Sequence, residues 1–217
     1  MNVFRKVSKR ITPYMRLNGF TLSGKNYCRI DNDIAYCIGF DTPSGLLYVT
    51  AYIMPLFIPC ENKYYTYGNR LNAIQGINLP ILKKNDNDTV IDNWCDTLCK
   101  YLDREIFPFF KQVGSLSELL EYVGSHTCTS SSFLACHSIY TWRLNMFAYL
   151  YMGKHTEVNL AIAHYRNILC DITFLSDQAL RKYSEEIDDV EVLMNRGGEA
   201  VREYFLCTIS DTKGLLR

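Results

Sequence analysis

From Val90 onward the apolar residues fall at helical spacing and keep to it as far as Cys207. That change of period constrains the fold more than any other feature. Ile91, Trp94, Cys95, Leu98, Leu102, Ile106, Phe109 and Val113 form one stripe about six turns long. Pro108 is expected to bend it near its end. Gly114 stops it, Ser115-x-x-Glu118 reads as a capping box for a helix over 116–123, and Gly124 closes that helix. An uncharged Ser/Thr stretch, 125–132, follows. Spans 133–152 and 156–170 then predict a helical hairpin around Gly153-Lys154, with Ile139, Trp142, Met146, Tyr149, Val158, Ala161, Ile162 and Tyr165 facing inward. Helices over 177–195 and 199–207 complete the set, with the last ten residues read as frayed. The hairpin resembles one unit of a helical-repeat array, but no second copy recurs at a fixed period.

The first part of the chain follows a different pattern. Val3, Phe4, Val7, Ile11, Tyr14 and Met15 predict a helix over 3–17. Pro13 either kinks it or starts a second turn capped by Thr12, and Asn18-Gly19 ends it. Strands over 27–30 and 34–40 flank the turn Asp31-Asn32-Asp33, and 46–54 is a third. Short connections make the sheet antiparallel. Residues 60–88, rich in Asn, Gly and Tyr, read as a long irregular connection with one more short strand near 64–67. The fold class is therefore α+β: an antiparallel sheet of three or four strands covered by helices over 1–124, then an all-helical C-terminal region over 133–217, the two separable or continuous.

Charge excludes some functions. Lys+Arg and Asp+Glu both number 23, so no global field draws the chain to nucleic acid or an anionic membrane. The uncharged run 42–60 is broken by Pro43, Pro55 and Pro59 and diluted by Ser44, Gly45 and Thr50, which no lipid-exposed helix tolerates. Charge is nonetheless uneven, with seven basic residues before Asp31 and five acids between Glu185 and Glu191. The basic helix suits phosphates, or an acidic helix of its own chain; the internal or solvated reading is favoured. Nine cysteines and no uninterrupted apolar leader near the start point to thiols in a reducing cytoplasm. A two-residue turn at Asn32-Asp33 sets Cys28 opposite Cys37 at a non-hydrogen-bonded pair, where a bridge is geometrically allowed; two packed thiols are the plainer alternative.

Several constellations invite chemistry. Cys95-x3-Cys99 is half a metal site, with His126-x-Cys128 and Cys136-His137 as the other candidates. Adjacent helical residues diverge by about 100°, however, and Cys95 lies in the apolar stripe. Asp88, Asp92 and Asp96 share a helix face and suggest a divalent-cation stripe; a dipole-complementing, solvated face, with Asp96 near Lys100, competes with it. No phosphate-loop, dinucleotide or esterase-elbow motif occurs. Sixteen tyrosines stand out, and Tyr64, Tyr65 and Tyr67 in the irregular connection suit contact with a partner.

Gly19-Phe20, Tyr27-x-Arg29, Arg70-Leu71, Trp94, Pro108-Phe109-Phe110 and Ser115-Leu116-x-Glu118-Leu119-Leu120 occur in that order. Over about residues 5–124 this resembles a family of bacterial proteins known as a domain of unknown function, with the pattern GF…R…RL…W…PFF…SxxELL. The sequence departs from it where Trp94 is followed by Cys95, since the family often pairs two tryptophans there. The resemblance implies an α+β domain in a bacterial cytoplasm and carries over no catalytic residue. The reading put first is a non-enzymatic interaction module, an immunity- or antitoxin-like partner of another protein, contacting it through Tyr64, Tyr65, Tyr67, Arg70 and Arg29. It calls for no cofactor, metal or membrane, and leaves the oligomeric state open. A small hydrolase or phosphate-handling enzyme using Asp88, Asp92 and Asp96, with Arg29 or Arg70 nearby, is the alternative. A binder of small ligands between sheet and helices is the third reading.

Overall fold

The computed structural model describes residues 3–61, 66–125, 129–135 and 137–216. The chain divides into two compact units. The first holds Met1–Pro55 and Lys63–Cys136, with Leu216–Arg217; the second joins Leu56–Asn62 to His137–Leu215.

In the first unit, α1 (Val3–Leu17) buries Val3, Val7, Ile11 and Met15, one residue per turn. Pro13 sits inside this single helix. Gly19, at φ 82°, turns the chain out of it, a conformation that costs glycine nothing. The sheet is an antiparallel meander of β1 (Thr21–Ser23), β2 (Asn26–Asp31), β3 (Ile34–Asp41), β4 (Leu46–Pro55) and β5 (Tyr67–Arg70), while β6 (Leu82–Lys83) pairs with β4. It thus exceeds three or four strands by two short edge pieces, too brief to show an alternating pattern. The strand sought near 64–67 begins at Tyr67 and runs forward. At its centre only glycine fits: a Cβ on Gly68 would collide with the Ala51 carbonyl and the Tyr52 side chain.

One sheet face carries the row Arg29, Tyr36, Ile53, Tyr67 and the row Tyr27, Ile38, Ala51, Asn69. Helices cover it. Phe4 of α1 packs on Phe40 at 5.5 Å, and the Tyr27 and Thr12 hydroxyls meet at 2.7 Å. Tyr36 packs on Phe110 at 5.0 Å and donates to the Val113 carbonyl. The expected six-turn stripe is present but interrupted. It comprises α2 (Asp88–Tyr101), a wide π turn over Leu102–Ile106, and α3 (Phe107–Gln112). The wide turn ends two residues before Pro108, whose missing N–H leaves the ordinary helical ladder one donor short. The capping box forms as read: the Glu118 carboxylate accepts from the Ser115 N–H at 2.8 Å and starts α4 (Leu116–Ser125).

The second unit is four sequential helices, α5 (Ser138–Tyr151), α6 (His155–Asp171), α7 (Asp177–Arg196) and α8 (Gly198–Leu215). Neighbours in sequence pack together, and α5 packs on α8. Helix α5 starts five residues later than its apolar pattern suggested. His137 caps it by accepting from the Ile139 N–H, and Phe133 instead stacks on Phe109 at 4.6 Å within the first unit. Helix α8 continues to Leu215 instead of fraying after Cys207. The cause is the strap over residues 56–61, invisible to a reading that follows local periodicity. Phe57 is fully buried and stacks on Tyr151 at 5.1 Å, and the Cys60 sulfur meets the Thr212 hydroxyl at 3.7 Å, so the last turns of α8 have something to pack against.

Candidate docking groove

The candidate residues of the first unit are tied into structure. Lys6 lies 3.1 Å and Arg10 3.3 Å from Asp88, and Arg10 also pairs closely with Asp92. Lys6 chiefly, through its hydrogen bond and charge, holds the Asp88 carboxyl below its ordinary value. The basic helix α1 therefore finds its acids on α2. The acidic run of α7 pairs elsewhere: Glu186 with Arg143, and Asp188 and Glu191 with Arg166. Asp96 has no ion pair among the described residues, so the Asp96–Lys100 pair is not formed.

Arg29 and Arg70 do not converge, because they point to opposite faces of the sheet from strands near its two ends. Arg29 lies 2.9 Å from Asp31 and over the rings of Phe20 and Tyr36 at 5.2 and 5.4 Å. Arg70 lies 2.9 Å from Asp41 and 4.3 Å over Tyr48. Tyr67 is a core residue at 2% exposure, on strand and not loop. Tyr64 and Tyr65 lie outside the described residues, as do His126, Cys128 and Cys136 of the metal half-sites. Burial pushes the Cys95 and Cys99 thiols up to about 12 and about 11, far from the reactive thiolate range. Among the described residues, no three His, Cys, Asp or Glu side chains gather as a metal site would require.

Two features of the second unit escaped sequence reading. One is Arg143, 6% exposed on α5. Its Nε donates to Glu186 Oε1 at 2.7 Å, its Nη2 donates to the Pro59 carbonyl at 2.9 Å, and its guanidinium lies 5.5 Å over Phe147. A cation in the middle of an apolar helix pattern is the visible sign, but the partner 43 residues away is not.

The other is a groove of about 340 Å³. It runs from Leu150 and Tyr151 at the end of α5, past Gly153 and His155, to Val201, Arg202, Phe205, Leu206 and Ile209 of α8. Its construction is local. Gly153, at φ 71°, ends α5, with the Lys154 N–H donating to the Tyr149 carbonyl at 2.8 Å, so α6 turns away and leaves the end open. Gly198 contributes no side chain at the mouth. Helical spacing sets Val201, Phe205 and Ile209 in one column and Arg202 and Leu206 in the next. The floor is firm: Leu150 is 1% and Phe205 3% exposed, and Phe205 is braced edge-on by Tyr151 at 5.0 Å. The rim is open, with Leu206 63% exposed. No carboxylate lines it, and its polar side chains are Arg202, His155 and Tyr151.

Comparison with family models, with curated proteins and with solved structures finds no match to this chain. No helix among the described residues is long and apolar enough to cross a membrane.

Proposed function

We propose that the chain is a non-enzymatic interaction protein whose C-terminal helical unit docks a protein partner in the groove between α5, the start of α6 and α8. The observation that carries this reading is Leu206, a large apolar side chain held in the open beside a mostly apolar trough. The trough's volume falls in the ordinary range of binding clefts, roughly 300–1,000 Å³. Arg202 and His155 at the rim favour a segment that offers an apolar side chain beside a carboxylate.

The aspartate stripe supports this reading indirectly, because Asp88 and Asp92 already have cationic partners in Lys6 and Arg10. The motif resemblance over 5–124 fits too, since its residues are occupied in building the unit. Gly19 turns α1, Phe20 is buried, Trp94 Nε1 donates to the Pro80 carbonyl at 2.6 Å, and Ser115 and Glu118 form the cap.

The test is affinity capture from source cells with wild-type and Leu206→Asp baits, followed by calorimetry with the purified candidate. Leu206 is exposed, so the substitution leaves the fold intact. A protein that binds the wild type and binds Leu206→Asp at least about tenfold more weakly, a loss of about 1.4 kcal/mol, is the expected outcome. Equal capture by both baits overturns the groove as the docking site. A small apolar carboxylate found in the groove by native mass spectrometry, with no protein bound, replaces the reading by a ligand-carrying one.

A further inference from the structure

We propose that Cys28 and Cys37 form a site of reversible oxidation, closed into a cross-strand disulfide by a two-electron oxidant of the peroxide class. The turn fixes their pairing. Asn32, at φ 54°, and Asp33 form a two-residue loop closed by the pair Asp31 and Ile34, and counting outward brings Cys28 opposite Cys37. Pairs alternate in kind along an antiparallel ladder, and this one falls on the non-hydrogen-bonded type, whose Cα atoms approach to about 4.5 Å. That spacing lies within the range a disulfide spans, about 4.4–6.8 Å. The two sulfurs stand 3.3 Å apart, and each strand is held in register by its neighbours, Cys28 facing Thr21 of β1 and Cys37 facing Tyr52 of β4. Closure therefore needs a side-chain rotation and no slip of a strand.

Burial sets the order of events. Cys37 is fully buried, whereas Cys28 keeps 6% exposure, so attack begins at Cys28. The Cys28 thiolate attacks a peroxide oxygen, the O–O bond breaks, and the leaving hydroxide takes up the thiol's proton as water. Cys28 is then a sulfenic acid. The Cys37 thiolate attacks that sulfur, the S–O bond breaks, and the departing hydroxide takes the second thiol proton as a second water. Two thiols have lost two electrons, and hydrogen peroxide has become two waters. Exchange with an external dithiol restores both thiols.

The test uses the full chain treated with hydrogen peroxide, then blocked with N-ethylmaleimide and digested with trypsin without reductant. Cleavage after Lys25, Arg29 and Lys63 puts Cys28 on residues 26–29 and Cys37 on residues 30–63, together with Cys60. The expected product is these two peptides joined, two hydrogens lighter than their sum. Dithiothreitol removes it, Cys37→Ser abolishes it, and Cys60→Ser retains it. Exposed Cys170 and Cys207 serve as internal controls for oxidant action. Oxidation of those two with both Cys28 and Cys37 still carrying maleimide overturns the proposal. So does a link from Cys28 that survives Cys37→Ser.

Discussion

In the first unit, Lys6 and Arg10 pair with Asp88 and Asp92 along the outside of the α1–α2 seam, where these carboxylates are 67% and 58% exposed. The second unit sets a bidentate pair inside its bundle, with the Arg143 side chain 7% and the Glu186 side chain 16% exposed. The chemistry is the same and the surroundings differ. Water and salt screen the seam, so each charge there survives the loss of its partner. Inside the bundle neither charge has water to fall back on, and the pair is tied to the Pro59 carbonyl of the strap. The seam keeps two helices in register at little energetic consequence. The buried pair makes the strap a condition of the bundle.

The largest expected effect follows from that difference. Arg143→Ala leaves the Glu186 carboxylate largely enclosed without its partner and strips the Pro59 carbonyl of its donor, so unfolding by denaturant is expected to show a loss of about 3–5 kcal/mol. Replacing both partners, Arg143→Met with Glu186→Leu, is expected to recover most of it, because no lone charge remains. A single variant within about 1 kcal/mol of wild type would erase the contrast between the units, since that is the scale of an exposed pair.

Local signals were legible and long-range ones were not. The hairpin turn, the Cys28–Cys37 register, the capping box and the helix ends at Gly19 and Gly153 each depend on residues within a few positions of one another, and all stand as read. Pro108 marked a disturbance in the long helix but not its form, since a lost donor can be met by a bend or by a wider turn. The strap was missed because Phe57 and Ile58 look like the tail of the preceding strand, and nothing in 56–62 shows that its apolar side chains serve helices beginning at residue 138. The groove was illegible for a related reason. Val201 and Phe205 fall on the helix expected over 199–207, but Ile209 lies among the ten residues expected to fray, and nothing near them in sequence shows that Gly153 and the end of α5 supply the other wall.

A second contrast lies in the buried tyrosines and calls for a smaller effect. Tyr27 in the first unit reaches the Thr12 hydroxyl at 2.7 Å and the Ser8 carbonyl at 3.3 Å. The Tyr165 hydroxyl in the second unit has no hydrogen-bond partner among the described residues, and burial pushes its ionisation well above the usual range. Tyr27→Phe is expected to cost about 0.5–1.5 kcal/mol, whereas Tyr165→Phe is expected to be neutral or stabilising, because it removes an unsatisfied buried group. Thermal melts of both variants beside wild type check the sign. A loss for Tyr165→Phe equal to that for Tyr27→Phe would mean that a bound water partners the hydroxyl.

The smallest effect belongs to the seam itself. Lys6 chiefly, with Arg10, holds the Asp88 carboxyl below its ordinary value of 3.8, so the folded state binds fewer protons there than the unfolded state does. Its contribution is therefore fully present above that ordinary value and fades as the pH falls through the lower, folded one. Asp88→Asn is expected to lower the melting temperature slightly at neutral pH and low salt. The difference from wild type should vanish in molar salt, where the screening length is about 3 Å, and again at the acid end of the range. A salt-independent loss as large as that of Arg143→Ala would show that the seam is sealed from solvent, and the division between an exposed and a buried use of the same ion pair would no longer hold.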